Sequence, residues 1–145
     1  MHRHETYFGD LGEGDQGPDW STPAPLARTD FVRYAGASGD FNPIHHDDEF
    51  ARAVGYPSVF GHGMLTAGVL SHYLTDWLGS GSLRRFKTRF SGQVWPGDKL
   101  SFGATVTRTY ADGEENRVDC DLTVRNQNGD VVLTGTATAA LPTRG

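Results

Sequence analysis

Cysteine is almost absent from this chain. Of its 145 residues only Cys120 carries a thiol, so no internal disulfide can form, which fits a reducing compartment and leaves Cys120 as a small core residue. Positive charge is scarce as well. Thirteen Lys and Arg stand against 18 Asp and Glu, a formal charge of -5, which argues against nucleic acid as a partner because phosphate binding needs clustered cations. No run of about 18 apolar residues is present to span a bilayer. The N-terminal MHRHETYFGD lacks the apolar segment of a secretory signal. These absences lead us to expect a cytoplasmic, unprocessed protein with no membrane partner. With 37% hydrophobic and 21% charged residues, residues 1–145 are read as one domain with its own core.

The first 27 residues are rich in Gly and Pro, notably GDLGEGDQGPDWSTPAP. They read as an N-terminal arm of the same domain, with one short extended piece near Trp20. Thr29 looks like the cap of a helix that carries Asp30 in its first turn and Phe31, Tyr34 and Ala35 at helical spacing, ending between Gly36 and Gly39. Pro43 disfavours helix at Asn42, so GDFNPIH reads as a loop, and a second short helix is expected from about Asp47 to Ala53. Gly61 to Gly79 holds no proline and is apolar around most of its circumference, the pattern of a buried helix. Beyond Gly81 the period changes to two: LRRFKTRFSGQV, then Leu100 to Val106, Val118 to Val124 and Val131 to Leu141 alternate as half-buried strands, separated by WPGD, ADGEEN and NQNGD turns. An antiparallel sheet wrapped around one long central helix is the hot-dog arrangement, an α+β fold. The small residues Gly135, Ala137 and Ala139 would let that helix lie close to the sheet.

The chemistry concentrates in GDFNPIHHDDEFA, Gly39 to Ala51, which gathers two histidines and four carboxylates around a proline. Taken alone the stretch could be a helix cap, a metal site or an acid–base pair. Adjacent histidines in a loop are not a recognised metal-ligand spacing, so no metal is expected. Together with FGHGMLTAGVL, however, the segment YAGASGDFNPIHHDDEFA resembles the signature of the MaoC-like dehydratases, the (R)-specific enoyl-CoA hydratases of hot-dog fold. The resemblance is strongest from Arg28 to about Leu74. It implies hydration of trans-2-enoyl thioesters, or the reverse dehydration of (R)-3-hydroxyacyl thioesters, with no cofactor beyond the coenzyme A or acyl carrier protein that is part of the substrate. It maps the catalytic pair onto Asp40 and His45, and the oxyanion-binding amide onto Gly63.

The residues themselves agree with that chemistry. Such a reaction needs a base, an acid and a donor for the thioester oxygen. Burial beside the long helix should disfavour the charged forms of both members of the pair. Asn42 and Pro43 would order the loop, and His62 would cap the long helix or face the substrate. His46 to Glu49 read as the solvated start of the second helix. Strand alternation puts Arg85, Lys87 and Arg89 on one face, a row able to hold coenzyme A phosphates or an acidic carrier. The resemblance further implies a dimer, either a homodimer or a heterodimer with a homologous hot-dog subunit. The alternatives are a hot-dog acyl thioesterase and a biosynthetic dehydratase acting on an unusual carrier-bound acyl group.

Overall fold

The five strands of the structure, a computed structural model that describes residues 5–145, form one antiparallel sheet in the order β1-β3-β4-β5-β2. They are β1 (Trp20–Ser21), β2 (Leu83–Phe90), β3 (Ser101–Asp112), β4 (Glu115–Arg125) and β5 (Val131–Leu141), and the helices are α1 (Arg28–Ser38), α2 (Asp48–Ala53) and α3 (Gly63–Leu78). Alternation of the strands buries Phe102, Ala104 and Val106, then Val118, Cys120, Leu122 and Val124, then Leu133, Ala137, Ala139 and Leu141 on one face. Val132 is buried beside Leu133 because the β4–β5 register shifts between Val124 and Arg125. Burial also pushes the Cys120 thiol up to about 11, which leaves it unreactive.

Helix α3 lies across this face against β2 and β5. Its Ala67, Leu70, Tyr73, Leu74 and Leu78 share one core with the strands. The helix is not buried all round, as its composition had implied: Met64 is 59% exposed, and Gly68, His72 and Asp76 continue the open stripe at four-residue intervals. One sheet covers only one side of a helix. A second, smaller core of Phe31, Ala51 and Val59, with Leu65 of α3 packed on it, fastens α1 and α2 to the start of α3.

Over its described residues, 5–27, the N-terminal arm packs on the sheet although little of it is regular. It runs along the outer edge of β3 through the Gly14 and Gly17 amides, which donate to Val106 and Ala104. It thereby covers the unpaired edge that β3 would otherwise expose. Helix α1 begins two residues earlier than the sequence implied, at Arg28. Ala27 rather than Thr29 is its cap, and Asp30 accepts the Ala27 amide at 2.8 Å. Strand β2 stops at Phe90, short of the SGQV that followed it in the sequence reading.

Gly135 shows how tightly the sheet is built. A Cβ added there would run into the backbone carbonyl of Lys87 on the neighbouring strand, and backbone cannot swing aside as a side chain can. Gly135→Ala should therefore destabilise the fold by about 1–3 kcal/mol, read as a lower urea midpoint at unchanged slope. An unshifted midpoint would show that β2 and β5 can separate locally at no cost.

Candidate active site

The site is built where α1 ends. Gly39 adopts φ 77° and closes the helix by donating its amide to the Ala35 carbonyl, a left-handed conformation that suits glycine. The chain then turns: Asp40 donates its amide to Ser38 Oγ at 3.1 Å. Asn42 Oδ1 accepts the Ile44 amide at 3.2 Å and caps a single 3-10 turn, Pro43–His45. Pro43 opens that turn, where its missing N–H costs nothing. Two residues five apart are thus brought face to face by a bend instead of a helix.

His45 is buried, with 7% of its surface exposed. Its Nδ1 lies 2.7 Å from the Phe60 carbonyl. A carbonyl only accepts, so Nδ1 carries the proton and Nε2 keeps its lone pair. That free nitrogen lies 3.9 Å from Asp40 Oδ2, too far for a direct hydrogen bond. An oxygen about 2.8 Å from each would see them at roughly a right angle, a seat for one water or hydroxyl. Burial holds the His45 imidazole below its ordinary value, with the bond to Phe60 and the Asp40 charge opposing it. Asp40 is not buried as expected: its side chain is 54% exposed, because a single chain lays nothing over the loop.

His62 occupies the cap position of α3 but its side chain caps nothing. Instead Nε2 lies 3.0 Å from the Asp40 backbone carbonyl, and the ring stacks on His45 with centroids 3.7 Å apart. Gly63 follows as the first residue of α3, where helix geometry leaves the amide without an internal acceptor and the dipole is positive. The Phe90 ring stands over it, 3.0 Å from where a Gly63 Cβ would be. Asp40, His45 and His62 bring ligand-type atoms within 4.8 Å of one another. Yet one nitrogen of each histidine is already spent on a backbone carbonyl, and the remaining His62 Nδ1 is shut off from solvent.

Other residues singled out in the sequence take different places. Asp47 caps α2 by accepting the Phe50 amide at 3.1 Å. Asp48 does more than solvate a helix start: it pairs with Arg28 at 2.8 Å and accepts the Val59 amide at 3.1 Å, tying α1, α2 and the loop before α3 together. Arg85, Lys87 and Arg89 do not join the site. They pair in register with Thr138, Thr136 and Thr134, and alternate with Phe86 and Phe90, of which Phe90 faces α3. The row therefore points to the opposite face of the sheet, into an open groove of about 490 Å³ with Asp121 and Thr123. The hydrogen bonds of the pair with Phe60 and His62 were not legible in the sequence, since each runs through a main-chain carbonyl.

Comparison with known proteins settles the family. The model of the MaoC like domain matches residues 12–128. The chain belongs to the MaoC-like dehydratase family. Among curated relatives of this family, an (R)-specific enoyl-CoA hydratase of Rhodospirillum rubrum is 31% identical over 96% of this chain and 94% of its own. Among solved structures, the R-hydratase PhaJ1 of Pseudomonas aeruginosa superposes with a TM-score of 0.83 at 28% identity, over 95% of this chain and 86% of that one. A chain of the ChsH1–ChsH2 complex of Mycobacterium tuberculosis does so with 0.78 at 25% identity, over 90% and 98%. Family membership and the neighbours' hot-dog fold agree with the sheet and helix described above.

The His45 environment predicts a pH dependence of stability. The unfolded imidazole takes up its proton near 6.5, whereas the folded one does so only at lower pH. Below 6.5 the unfolded state binds more protons, so stability falls as pH is lowered and levels off once the folded group titrates. Urea midpoints measured from about pH 8 to about pH 5 should show this slope in the native chain and lose that part of it in His45→Gln. Parallel curves would mean that the buried ring titrates normally.

Proposed function

We propose that this chain adds water to trans-2-enoyl thioesters to give (R)-3-hydroxyacyl thioesters, and catalyses the reverse dehydration, with Asp40, His45 and Gly63 as the working groups. The observation that carries this is the unprotonated His45 Nε2 set 3.9 Å from the Asp40 carboxylate, beside the N-terminus of α3. The hydratase relatives support it. In the hydration direction Asp40 accepts one O–H of the water and His45 Nε2 takes the other proton as the oxygen adds to C3. The π electrons move onto the thioester oxygen, held by the Gly63 amide. The imidazolium then returns its proton to C2, the carbonyl reforms, and both side chains are back in their starting states. Proton transfer of this kind contributes about 10²–10⁴-fold, and one oxyanion donor about 10²–10³-fold.

The reading includes no metal, because the ring nitrogens bonded to backbone carbonyls leave too few converging ligands. It includes a dimer of like chains in the cytoplasm. Support for the dimer comes from Phe41, Met64 and Phe90, all more than half exposed around the site; large apolar side chains gathered so are the mark of a surface that another body covers. Among the described residues no helix is long and apolar enough to cross a membrane.

The test is loss of enoyl absorbance from a short trans-2-enoyl-CoA, on material whose dimeric mass is checked by sedimentation. The native chain should turn over to the (R)-3-hydroxyacyl product, and Asp40→Asn and His45→Ala should each lower kcat at least about 10²-fold with the fold intact. Release of free thiol in place of hydration would establish the thioesterase reading instead.

The cationic row offers a separate check. Because it faces away from the pair, neutralising Arg85 and Lys87 together should leave KM for the enoyl-CoA unchanged. A KM increase of roughly tenfold or more at constant kcat would return Arg85, Lys87 and Arg89 to the role of phosphate or carrier ligands.

A further inference from the structure

We propose that His62 is a positioning residue that holds both members of the pair at once, an inference that rests on the hydratase reading for its kinetic consequence but not for its geometry. His62 is 2% exposed. Among the described residues its Nδ1 is the buried side-chain atom that lacks a hydrogen-bond partner, so the bond from Nε2 to the Asp40 carbonyl is the ring's one polar anchor. A buried polar atom left unpaired costs stability, and an apolar ring would fill the same space without that cost. The histidine therefore does something that packing alone does not require.

Two contacts say what. The Nε2–H bond to the Asp40 carbonyl, 3.0 Å long, fixes the main chain of a residue whose carboxylate is half open to solvent and which is otherwise held by local turns, the Phe60 contacts anchoring only Ile44 and His45 further on. The stack on His45, tilted by only 26°, backs one face of that imidazole, while the Phe60 ring meets it edge-on at 5.3 Å. The Tyr34 ring in turn meets His62 edge-on at 4.8 Å, so α1 braces the arrangement. His62 also immediately precedes Gly63 in sequence. One side chain thus links the loop of Asp40, the ring of His45 and the turn that presents the oxyanion amide.

The two contacts can be separated by substitution. Phe keeps a ring to stack but has no donor for the Asp40 carbonyl; Gln keeps a donor near the Nε2 position but has no ring. His62→Phe should lower kcat about 10–100-fold, since a displacement of about 1 Å at a reacting group has an effect of that order, with KM within about twofold and thermal stability undiminished. His62→Gln should recover a large part of that loss. Hydrogen exchange at the Asn42 and Ile44 amides, which donate to Asp40 Oδ1 and Asn42 Oδ1 and whose exchange requires no turnover, should accelerate in the Phe variant and not in the Gln variant. Imidazole ¹⁵N spectra of the native chain should show His62 protonated at Nε2. Inactive native protein with this tautomer and exchange pattern would defeat the hydratase reading and leave the positioning role standing. Protonation of His62 at Nδ1, native exchange in the Phe variant, or equal kcat losses that track lost thermal stability in both variants would overturn the role.

Discussion

The seating of α3 on the sheet decides where every group of the proposed reaction lies. The helix packs against β2 and β5, where Ala137 and Ala139 belong to the same core as Ala67 and Leu70, and short side chains on both sides let the two elements approach. Its N-terminus then falls beneath Phe90 at the end of β2. Entry into the helix is pinned by the Gly61 amide, which donates to the Val94 carbonyl at 2.8 Å. A side chain at Gly61 would strike the Phe31 ring at 3.0 Å; its absence lets α1 dock against the start of α3. Since Asp40 follows α1 directly, that contact sets the distance from Asp40 to the helix N-terminus. The Arg28–Asp48 pair stands half in solvent and adds little by comparison; the buried ring does more.

Two backbone carbonyls, those of Phe60 and Asp40, organise the electrostatics. Each accepts from one histidine, and because a carbonyl cannot donate, each fixes which nitrogen is protonated. The outcome differs between the two rings. His45 is left with its lone pair toward Asp40, ready to accept a proton, while His62 is left with its lone pair in the interior. Chemically alike side chains 3.7 Å apart thus take unlike settings, one with its lone pair toward a carboxylate and one with its lone pair turned inward. Burial reinforces the first by holding His45 below its ordinary value, so that near neutral pH the base form prevails.

The parts legible in the sequence are those with a repeating signal or a rigid residue. The period-two alternation of Phe102 to Val106 and Val118 to Val124 located β3 and β4. Pro43 and the glycines at 36 and 39 marked the bend after α1, although the helix runs through Gly36, whose local cost is outweighed by the burial of Phe31 and Ala35. Alternation also showed that Arg85, Lys87 and Arg89 share a face. It could not say which face, because that depends on where α3 docks. The contacts that fix His45 and His62 run to main-chain carbonyls, which every residue possesses, so no residue type announces them. Asp48 looked like one of several helix-start acids and became a tie between three segments only once Arg28 and Val59 were brought to it.

The exposure of Asp40 bears on what the site needs in order to work. In the proposed reaction a charge shared between Asp40, His45 and the Gly63 amide is stabilised far more in a dry setting than in water, yet one chain leaves Asp40 half open, with the Phe90 ring standing over Gly63. The surroundings are apolar: Phe41 beside the carboxylate, Met64 beside the amide, and Phe90 above it. A polar rim would let water remain between the pair and whatever binds there, whereas this rim sheds water on contact. On the proposed reading, closure of the site belongs to the act of binding, through the acyl chain of a thioester and the face of a second subunit, and the single chain supplies the geometry that such closure would make effective.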